Sequence, residues 1–255
     1  MKEQTYPVQE IICIDDCSTD HTTTVIEEFI SDNPYLPIKL LKNNSNQGPS
    51  FSRNRGWDVA QGDYLAFLDA DDAWHRQKIA IQYSWMLTNP QISVCGHAYL
   101  LISSEDSEDY FKIKPNFKTY IFSQDEIIFS NPFVTPSVML KRNLNYRFNP
   151  NQRYCEDYLL WLQICLDAHQ ISMLDVELTY IYKSFGKSGL TRNLWQMKWG
   201  DTKNYWQLWK SNRISFGKAI FLIMYSLIKV IPLIIFGPEY YAGLKQRMIM
   251  NKFES

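Results

Sequence analysis

The chain has 255 residues, of which 45% are hydrophobic, and its formal net charge is −1. The length and the apolar content suit one large α/β domain, or one domain with an appendage. A charge so close to zero argues against a nucleic-acid-binding protein, because the chain has no general basic field to attract phosphate backbones.

Short apolar runs alternate with helix-like runs through roughly the first hundred residues. Strand–helix–strand repetition predicts parallel strands joined by right-handed crossovers. Ligands of such sheets bind at the carboxyl ends of the strands, so the side chains that follow each strand are the first candidates for a site. The predicted strands lie at residues 10–15, 37–41, 63–68 and 92–102, and the predicted helices at residues 22–31, 50–61 and 77–87.

Two aspartates, Asp15 and Asp16, end the first predicted strand. An ionised aspartate only accepts hydrogen bonds, so this pair could bind the donor edge of a nucleobase or a sugar. The alternative is that one side chain caps the helix that follows, a role that suits Ser18 or Asp20 better than Asp16.

Glycine and arginine lie together between the second strand and the next helix, in residues 46–56. Gly48 allows a close backbone approach, and a helix N-terminus near Ser50 favours an anion. Arg53 and Arg55 could contact phosphate oxygens with the guanidinium fork. Two arginines on one helix are also common on a solvated face, so both interpretations stay open.

Three carboxylates follow the third predicted strand, in the segment Asp69-Ala70-Asp71-Asp72. Carboxylates packed at the end of a buried strand repel one another unless a positive charge lies among them. A divalent cation would remove that repulsion, and Mg²⁺ favours one or two carboxylates together with substrate phosphates. A polar loop with one aspartate as a helix cap is the alternative, but the pattern favours a functional site.

The second half of the chain is less regular, and its composition changes near residue 190. An aromatic and basic stretch follows at residues 194–209, and residues 220–236 are almost wholly apolar. We therefore predict an α/β domain over residues 1–190 and a helical C-terminal region over residues 191–255. The other predicted elements are a loop leading into a strand at 131–140, a helix at 156–168 and a strand at 171–182.

Glu156 and Asp157 begin the predicted helix of residues 156–168. Acidic residues in the first turn of a helix commonly interact with its dipole. A carboxylate held there by its neighbours could instead act as a general base on a hydroxyl. The residues alone leave both interpretations open.

Together these segments resemble the bacterial family 2 glycosyltransferases of the GT-A fold. The order and spacing of four motifs match, and the resemblance covers residues 4 to about 191. It implies an α/β fold with a mostly parallel mixed sheet flanked by helices, followed here by a helical membrane-associating tail. The four motifs are residues 14–20, residues 46–56 with Asn46, Gly48 and Ser52-Arg53-Asn54, residues 62–74, and Glu156-Asp157.

The resemblance implies a role for each matching residue on the donor side. The D-x-D pair, Asp69 and Asp71, would lie at the diphosphate of a nucleotide sugar, and Asp71 resembles the direct ligand of Mg²⁺ or Mn²⁺ in the family. Asp16 would contact the nucleotide base. The other implied donor-binding residues are Asp15, Gly48 and Arg53.

On the acceptor side the resemblance implies that Asp157 deprotonates a hydroxyl and that Glu156 supports it or contacts the acceptor. The implied reaction is an inverting, metal-dependent transfer of a sugar to a surface glycan such as lipopolysaccharide, O-antigen or capsule. The implied partners are a UDP- or dTDP-linked sugar and a saccharide or lipid-linked acceptor.

Two features depart from the family pattern. Family members usually begin with a strand carrying a Pro-x-Tyr-Asn-like segment and then a helix, and this chain begins where that helix would end. We therefore expect an N-terminally truncated domain that lacks an interior strand, with unpaired ladder groups and an unfilled core. Many relatives also place a histidine near the diphosphate, where this chain has Lys183, Lys187 and Ser188. These residues could contact the diphosphate instead, or they could form a solvated loop. The alternative function is a non-catalytic homologue or a nucleotide- or cation-binding remnant.

The C-terminal region suits a membrane surface better than a membrane span. A spanning helix needs ~20 apolar residues, whereas the apolar run of residues 220–236 has 17 and includes Lys229 and Pro232. Tryptophans and lysines between residues 195 and 210 suit the headgroup depth of a bilayer. We therefore expect peripheral attachment to the inner face of the plasma membrane, with an ordinary buried helical tail as the alternative.

Cysteine usage and the N-terminus predict a cytoplasmic location. The five cysteines are scattered without the spacing of metal ligands, and an odd count fits no disulfide framework. Residues 1–10 are polar, so we expect no secretory signal.

Overall fold

The structure, a computed structural model, describes residues 1–102, 116–182, 194–231 and 251–253. The predicted strands and helices of this part are present, with bounds shifted by a few residues. The first half contains β1 (Ile11–Asp15), α1 (Thr22–Asp32), β2 (Ile38–Lys42), α2 (Pro49–Val59), β3 (Tyr64–Ala66), β4 (Asp72–Trp74), α3 (Lys78–Thr88) and β5 (Ile92–Leu101). The second half contains β6 (Thr119–Phe122), α4 (Gln124–Ile127), β7 (Met139–Lys141), α5 (Glu156–Leu166), β8 (Gln170–Ile181), α6 (Leu194–Lys210) and α7 (Phe216–Ile228).

The strands form two sheets. β1 and β2 make a parallel pair, and the other strands make a mixed sheet in the order β3-β7-β5-β8-β4, with β6 also paired to β8. The predicted mixed sheet flanked by helices is confirmed. The expectation that it is mostly parallel is wrong, because four of the five described pairings within it are antiparallel. The short strands β4, β6 and β7 enter from turns and loops, where an antiparallel pairing needs no helical crossover.

The main core lies between α5 and the centre of the mixed sheet. Eight of the eleven residues of α5 are buried, as expected for a helix that is apolar nearly all round. The indole of Trp161 packs edge-on against Phe148 and Phe133, with ring centroids 6.0 and 6.3 Å apart. β5 and β8 are buried along most of their length. This region is therefore the rigid base on which the beginning of α5 is held.

The β1–β2 pair is covered less completely. Residues 11–14 are half-buried, and every residue of α1 is half-buried or exposed. Helix α2 packs on β1 at Gly56, where an added Cβ would lie only 2.8 Å from Ile14 Cδ1. Within the residues that the structure describes, β1 pairs only with β2 and β3 only with β7. The two sheets therefore meet through helix packing and loops rather than through a shared ladder.

Helices α6 and α7 each pack on the main core through one face. Tyr205 and Leu208 of α6 and Leu222 of α7 are buried. Among the described helices none is long and apolar enough to cross a membrane, and the apolar run beyond Ile231 lies outside the described residues. The membrane-associating tail stays a prediction. The exposed large apolar side chains of the two helices include Trp195, Trp199, Phe221, Met224, Leu227 and Ile228.

Candidate active site

Asp16 holds the loop that joins β2 to α2. Its carboxylate accepts hydrogen bonds from the backbone N–H groups of Gln47 and Gly48, at 2.9 and 2.7 Å, and from Asn43 Nδ2 at 2.7 Å. Partial burial raises the pKa of Asp16, but these hydrogen bonds together outweigh it and keep the pKa below its ordinary value. Asp16 therefore stays ionised and fixes the loop in which Gly48 takes a φ of 85° before α2 begins.

Asp15 faces the protein rather than solvent. Its side chain is buried, and its oxygens accept from the N–H of Ser18 at 3.2 and 3.3 Å and from Thr23 Oγ1 at 3.3 Å. These bonds close the turn that leads into α1. The predicted donor contact of Asp15 stays a prediction, and its observed partners are the residues that shape the end of β1.

Arg53 joins two of the predicted motifs. Its Nη2 donates to Asp69 Oδ1 at 2.8 Å and its Nη1 donates to Glu156 Oε1 at 3.1 Å. The guanidinium also lies over the Phe148 ring, 5.4 Å from its centroid. Burial lowers the pKa of Arg53, but the neighbouring carboxylates outweigh burial and the net pKa lies above its ordinary value. A permanently charged fork therefore ties the D-x-D segment to the Glu-Asp segment.

The predicted phosphate contact of Arg55 stays a prediction, and its observed partners lie at the end of β2. Its Nη1 donates to the carbonyl of Lys42 at 2.7 Å and to Asn43 Oδ1 at 2.5 Å. The same Asn43 donates to Asp16 and to Ser52 Oγ, the latter at 3.1 Å. Arg55 thus fixes the carboxyl end of β2, and α2 reaches both the Asp16 loop and, through Arg53, the acidic turn.

Glu156 lies in the first turn of α5 and is 7% exposed. Burial raises its pKa to about 7, with a further contribution from Asp157, against the opposing effect of Arg53. Asp157 is half-buried, and its Oδ2 accepts from Asn131 Nδ2 at 3.3 Å and from Thr135 Oγ1 at 3.4 Å. The two neighbouring carboxyl groups therefore have different hydrogen-bond partners. Glu156 accepts from Arg53 and Asp157 accepts from the neutral donors Asn131 and Thr135, while the charge of Asp157 also acts on Arg53 and Glu156.

The acidic turn connects β3 to β4. Asp69 is half-buried beside Arg53, Asp71 is exposed, and the N–H of Asp72 donates to the carbonyl of Asp69 at 3.1 Å. In the described part of the chain no group of three or more His, Cys, Asp or Glu side chains could hold a metal by itself. Mg²⁺ needs only one or two protein carboxylates when phosphates complete its shell, so Asp71 with Asp69 fits that requirement.

Three polar residues of the site were missed at the level of sequence. Asn43, Asn131 and Thr135 contact Asp16 or Asp157, but single polar residues in loops resemble any other loop residue. The only available signal was for Asn43, which directly follows β2 at a carboxyl strand end. Lys183, Lys187 and Ser188, the candidates for a diphosphate contact, lie outside the described residues.

Comparison with known proteins connects this geometry to a family. The family model described as "Glycosyl transferase family 2" matches residues 1–145. The UDP-Glc:alpha-D-GlcNAc-diphosphoundecaprenol beta-1,3-glucosyltransferase WfgD of Escherichia coli is 31% identical over 206 residues, which cover 81% of this chain and 76% of WfgD.

Solved structures resemble the fold. S. aureus TarS 1-349 in complex with UDP-GlcNAc matches with a TM-score of 0.64 and 18% identity, covering 88% of this chain and 65% of that chain, which is just under two thirds. The mannosyltransferase PcManGT from Pyrobaculum calidifontis in complex with GDP-Man and Mn²⁺ matches with a TM-score of 0.59 and 15% identity. The match covers 95% of this chain and 71% of that chain. At these identities the likeness establishes the fold alone, which is the GT-A fold.

Proposed function

Because the chain belongs to glycosyl transferase family 2 and is a glycosyltransferase of the GT-A fold, we propose that it transfers a sugar from a nucleotide donor to a hydroxyl of a cell-surface glycan, with inversion. The observation that carries this proposal is the Arg53 bridge. One guanidinium contacts Asp69 at 2.8 Å and Glu156 at 3.1 Å, so the donor motif and the acceptor motif lie side by side.

The donor in this proposal is a UDP- or dTDP-linked sugar. WfgD is named for UDP-Glc, and TarS was solved with UDP-GlcNAc, which supports a uridine nucleotide. The base end of the donor site in this proposal is the Asp15-Asp16 strand end with the loop that Asp16 holds. No atom lies within 4 Å of the position that a Cβ of Gly48 would take, which leaves room for the nucleotide. A divalent cation, Mg²⁺ or Mn²⁺, held by Asp71 and Asp69 would neutralise charge on the departing nucleoside diphosphate.

The acceptor hydroxyl loses its proton to the Asp157 carboxylate. The hydroxyl oxygen then attacks the anomeric carbon from the face opposite the diphosphate, the new glycosidic bond forms, and the bond to the phosphate oxygen breaks. Asn131 and Thr135 keep Asp157 oriented as the charged acceptor of that proton. Glu156 supports this arrangement by keeping Arg53 in place.

A donor panel tests the proposal. Purified protein with Mn²⁺, candidate nucleotide sugars and a lipid-diphosphate acceptor should release nucleoside diphosphate with one donor. Asp157→Asn should lower that rate by about 10²–10⁴-fold while donor binding persists, because only proton transfer is removed. Asp58→Asn is the matched control, since Asp58 is an exposed carboxylate on α2 paired with Arg147. Binding of a donor without release for any acceptor, with Asp157→Asn equal to wild type, would indicate the non-catalytic alternative.

The cation assignment has its own test. Asp71→Ala should abolish the Mn²⁺-dependent part of donor binding in calorimetric titration, because the exposed carboxylate of Asp71 is lost. Equal donor affinity in wild type and Asp71→Ala would overturn the assignment. Asp63→Ala, at an exposed carboxylate next to β3, is the control.

The acceptor in this proposal is lipid-linked, and the protein meets it at a membrane surface. WfgD is named for a diphosphoundecaprenol acceptor, and α6 and α7 expose tryptophans and aliphatic side chains with lysines nearby. Phe221→Ser with Leu227→Ser should reduce flotation with vesicles of phosphatidylglycerol and phosphatidylethanolamine. Phe29→Ser, an exposed aromatic on α1, should not. Equal losses for both variants would argue for an ordinary helical tail.

A further inference from the structure

Two side-chain donors to Asp157 come from one loop. Asn131 Nδ2 and Thr135 Oγ1 both point at the same oxygen, Oδ2, at 3.3 and 3.4 Å. Asn131 also accepts from the N–H of Phe133 at 3.1 Å, so the amide is oriented by its own loop. The other carboxylate oxygen of Asp157 accepts from the N–H of Tyr158 at 2.7 Å. The direction of Asp157 therefore depends on where this loop lies.

The loop is anchored to β5 between its two donors. The ring of Phe133 occupies the space above Gly96, where an added Cβ would lie 2.2 Å from a ring carbon. Thr135 then starts a buried helical turn, Thr135–Ser137, in which the N–H and the Oγ of Ser137 both donate to the carbonyl of Val134. A larger residue at position 96 would displace the ring and the two donors with it.

Side chains outside this turn donate hydrogen bonds to its carbonyls. Trp74 Nε1 donates to the carbonyl of Pro136 at 2.8 Å, and Thr179 Oγ1 donates to the same oxygen at 3.1 Å. Gln82 Nε2 donates to the carbonyl of Ser137 at 2.9 Å. Buried carbonyls of this kind are costly to leave unpaired, so these donors define the position of the turn. Thr135 is fixed with it.

Trp74 also belongs to the donor side of the site. It is the last residue of β4, which begins at Asp72 in the acidic segment, and its indole lies 3.9 Å from Lys78 Nζ, measured to the ring centroid. β4 pairs with β8 at Trp74 and Thr179, so the strand itself is fixed in the mixed sheet. One short strand therefore leads from the acidic turn to the turn that carries Thr135.

We propose that Thr135 is a positioning residue for Asp157, and that Trp74 and Gln82 hold Thr135 in place. Because Trp74 ends β4, the position of the acceptor base then depends on the acidic segment where β4 begins. This inference rests on the proposed function of Asp157. Thr135 donates to Asp157 Oδ2 and stabilises its charged form, whereas Trp74 and Gln82 act only through the turn that carries Thr135.

The test compares Thr135→Val with Thr135→Ser. Valine keeps the shape and removes the hydroxyl donor, so we expect kcat to fall by about tenfold at an unchanged donor KM. The acid limb of the kcat profile should move to higher pH, because the charged carboxylate loses a hydrogen bond. Thr135→Ser should restore both the wild-type kcat and the wild-type position of the acid limb. Thr88→Val is the matched control, since it removes a hydroxyl that donates to the carbonyl of Trp85 at the end of α3, outside the loop that contacts Asp157.

A second measurement needs no turnover. In protein labelled with ¹³C at the aspartate carboxyls, the signal absent from Asp157→Asn should titrate at higher pH in Thr135→Val and in Trp74→Phe than in wild type. An unchanged titration in Thr135→Val, or the same displacement in Thr88→Val, overturns the inference. If Asp157→Asn retains full transfer, the proposed function fails as well. If Asp157→Asn is inactive and Thr135→Val behaves as wild type, only the positioning role fails.

Discussion

The parallel pair β1–β2 and the parallel pair β5–β8 are built from similar apolar residues but are covered very differently. Residues 11–14 of β1 are half-buried, whereas residues 92–98 of β5 are buried. Both segments form strands because of their apolar composition, but how deeply they are buried depends on the helices and loops that pack on them. The first pair carries Asp15 and Asp16, so the base end of the proposed donor site rests on the less covered region.

The two regions also hold their charged groups by different means. Asp16 accepts hydrogen bonds from backbone and amide donors of one loop. Together these bonds outweigh the effect of burial, so the pKa of Asp16 lies below its ordinary value. Glu156 is enclosed by the core, and burial raises its pKa to about 7. Asp16 is therefore held by hydrogen bonds of one loop, whereas Glu156 is held by burial in the core and by Arg53.

Matched isoleucine truncations should show the largest difference between the regions. Ile164→Ala in α5 removes a fully buried side chain and should cost about 2–5 kcal/mol of unfolding free energy. Ile12→Ala in β1 removes a half-buried side chain and should cost less than about half of the unfolding free energy that Ile164→Ala costs. Urea unfolding measures both. Equal costs would mean that β1 is as well covered in solution as α5.

The pH dependence of stability should identify Glu156. Its pKa rises from 4.5 in the unfolded chain to about 7 in the folded one, so its contribution is favourable below about pH 4.5 and is lost as the pH rises to about 7. Relative to Glu156→Gln, wild type should lose up to roughly 3 kcal/mol across that window. Unfolding at a series of pH values measures this. A difference between wild type and Glu156→Gln that does not change with pH would contradict the burial argument.

Asp16 should show the opposite dependence with a smaller size. Because its folded pKa is lowered, its stabilising contribution is present above the unfolded value of 3.8 and is lost as the pH falls through the folded value. Asp16→Asn should cost about 1–2 kcal/mol at neutral pH, with faster hydrogen exchange at Gln47 and Gly48. The deficit should shrink in acid. Asp32→Asn, in the same region, is the control, and unchanged exchange would mean that the loop is held by other contacts.

The smallest effect should come from the surface ion pair that joins α1 to β2. Lys42 Nζ lies 2.7 Å from Glu27 Oε1, and both side chains are at least half exposed. Glu27→Gln should change the unfolding free energy by less than about 0.5 kcal/mol. A larger loss, abolished by high salt, would show that this pair contributes to holding the β1–β2 region together.

The sequence predicted local features well and non-local ones poorly. Strand β1, helix α3 and helix α5 follow from apolar periodicity, which depends on neighbouring residues. The insertion of β7 between β3 and β5 depends on contacts between distant segments and was not predictable from a pattern. The predicted phosphate contact of Arg53 stays a prediction, but its two carboxylate partners, 16 and 103 positions away, emerged only from the fold.

The Arg53 bridge has a consequence for how this chain can change over evolution or by engineering. A guanidinium presents several N–H groups in fixed directions, whereas lysine offers one compact ammonium that cannot reproduce a two-armed contact. A substitution at position 53 therefore removes a hydrogen-bond partner from the carboxylates at positions 69 and 156 together. A library that diversifies the donor motif alone, or the acceptor motif alone, will contain mostly variants with an unmatched charge. Arg53, Asp69 and Glu156 should therefore be varied together.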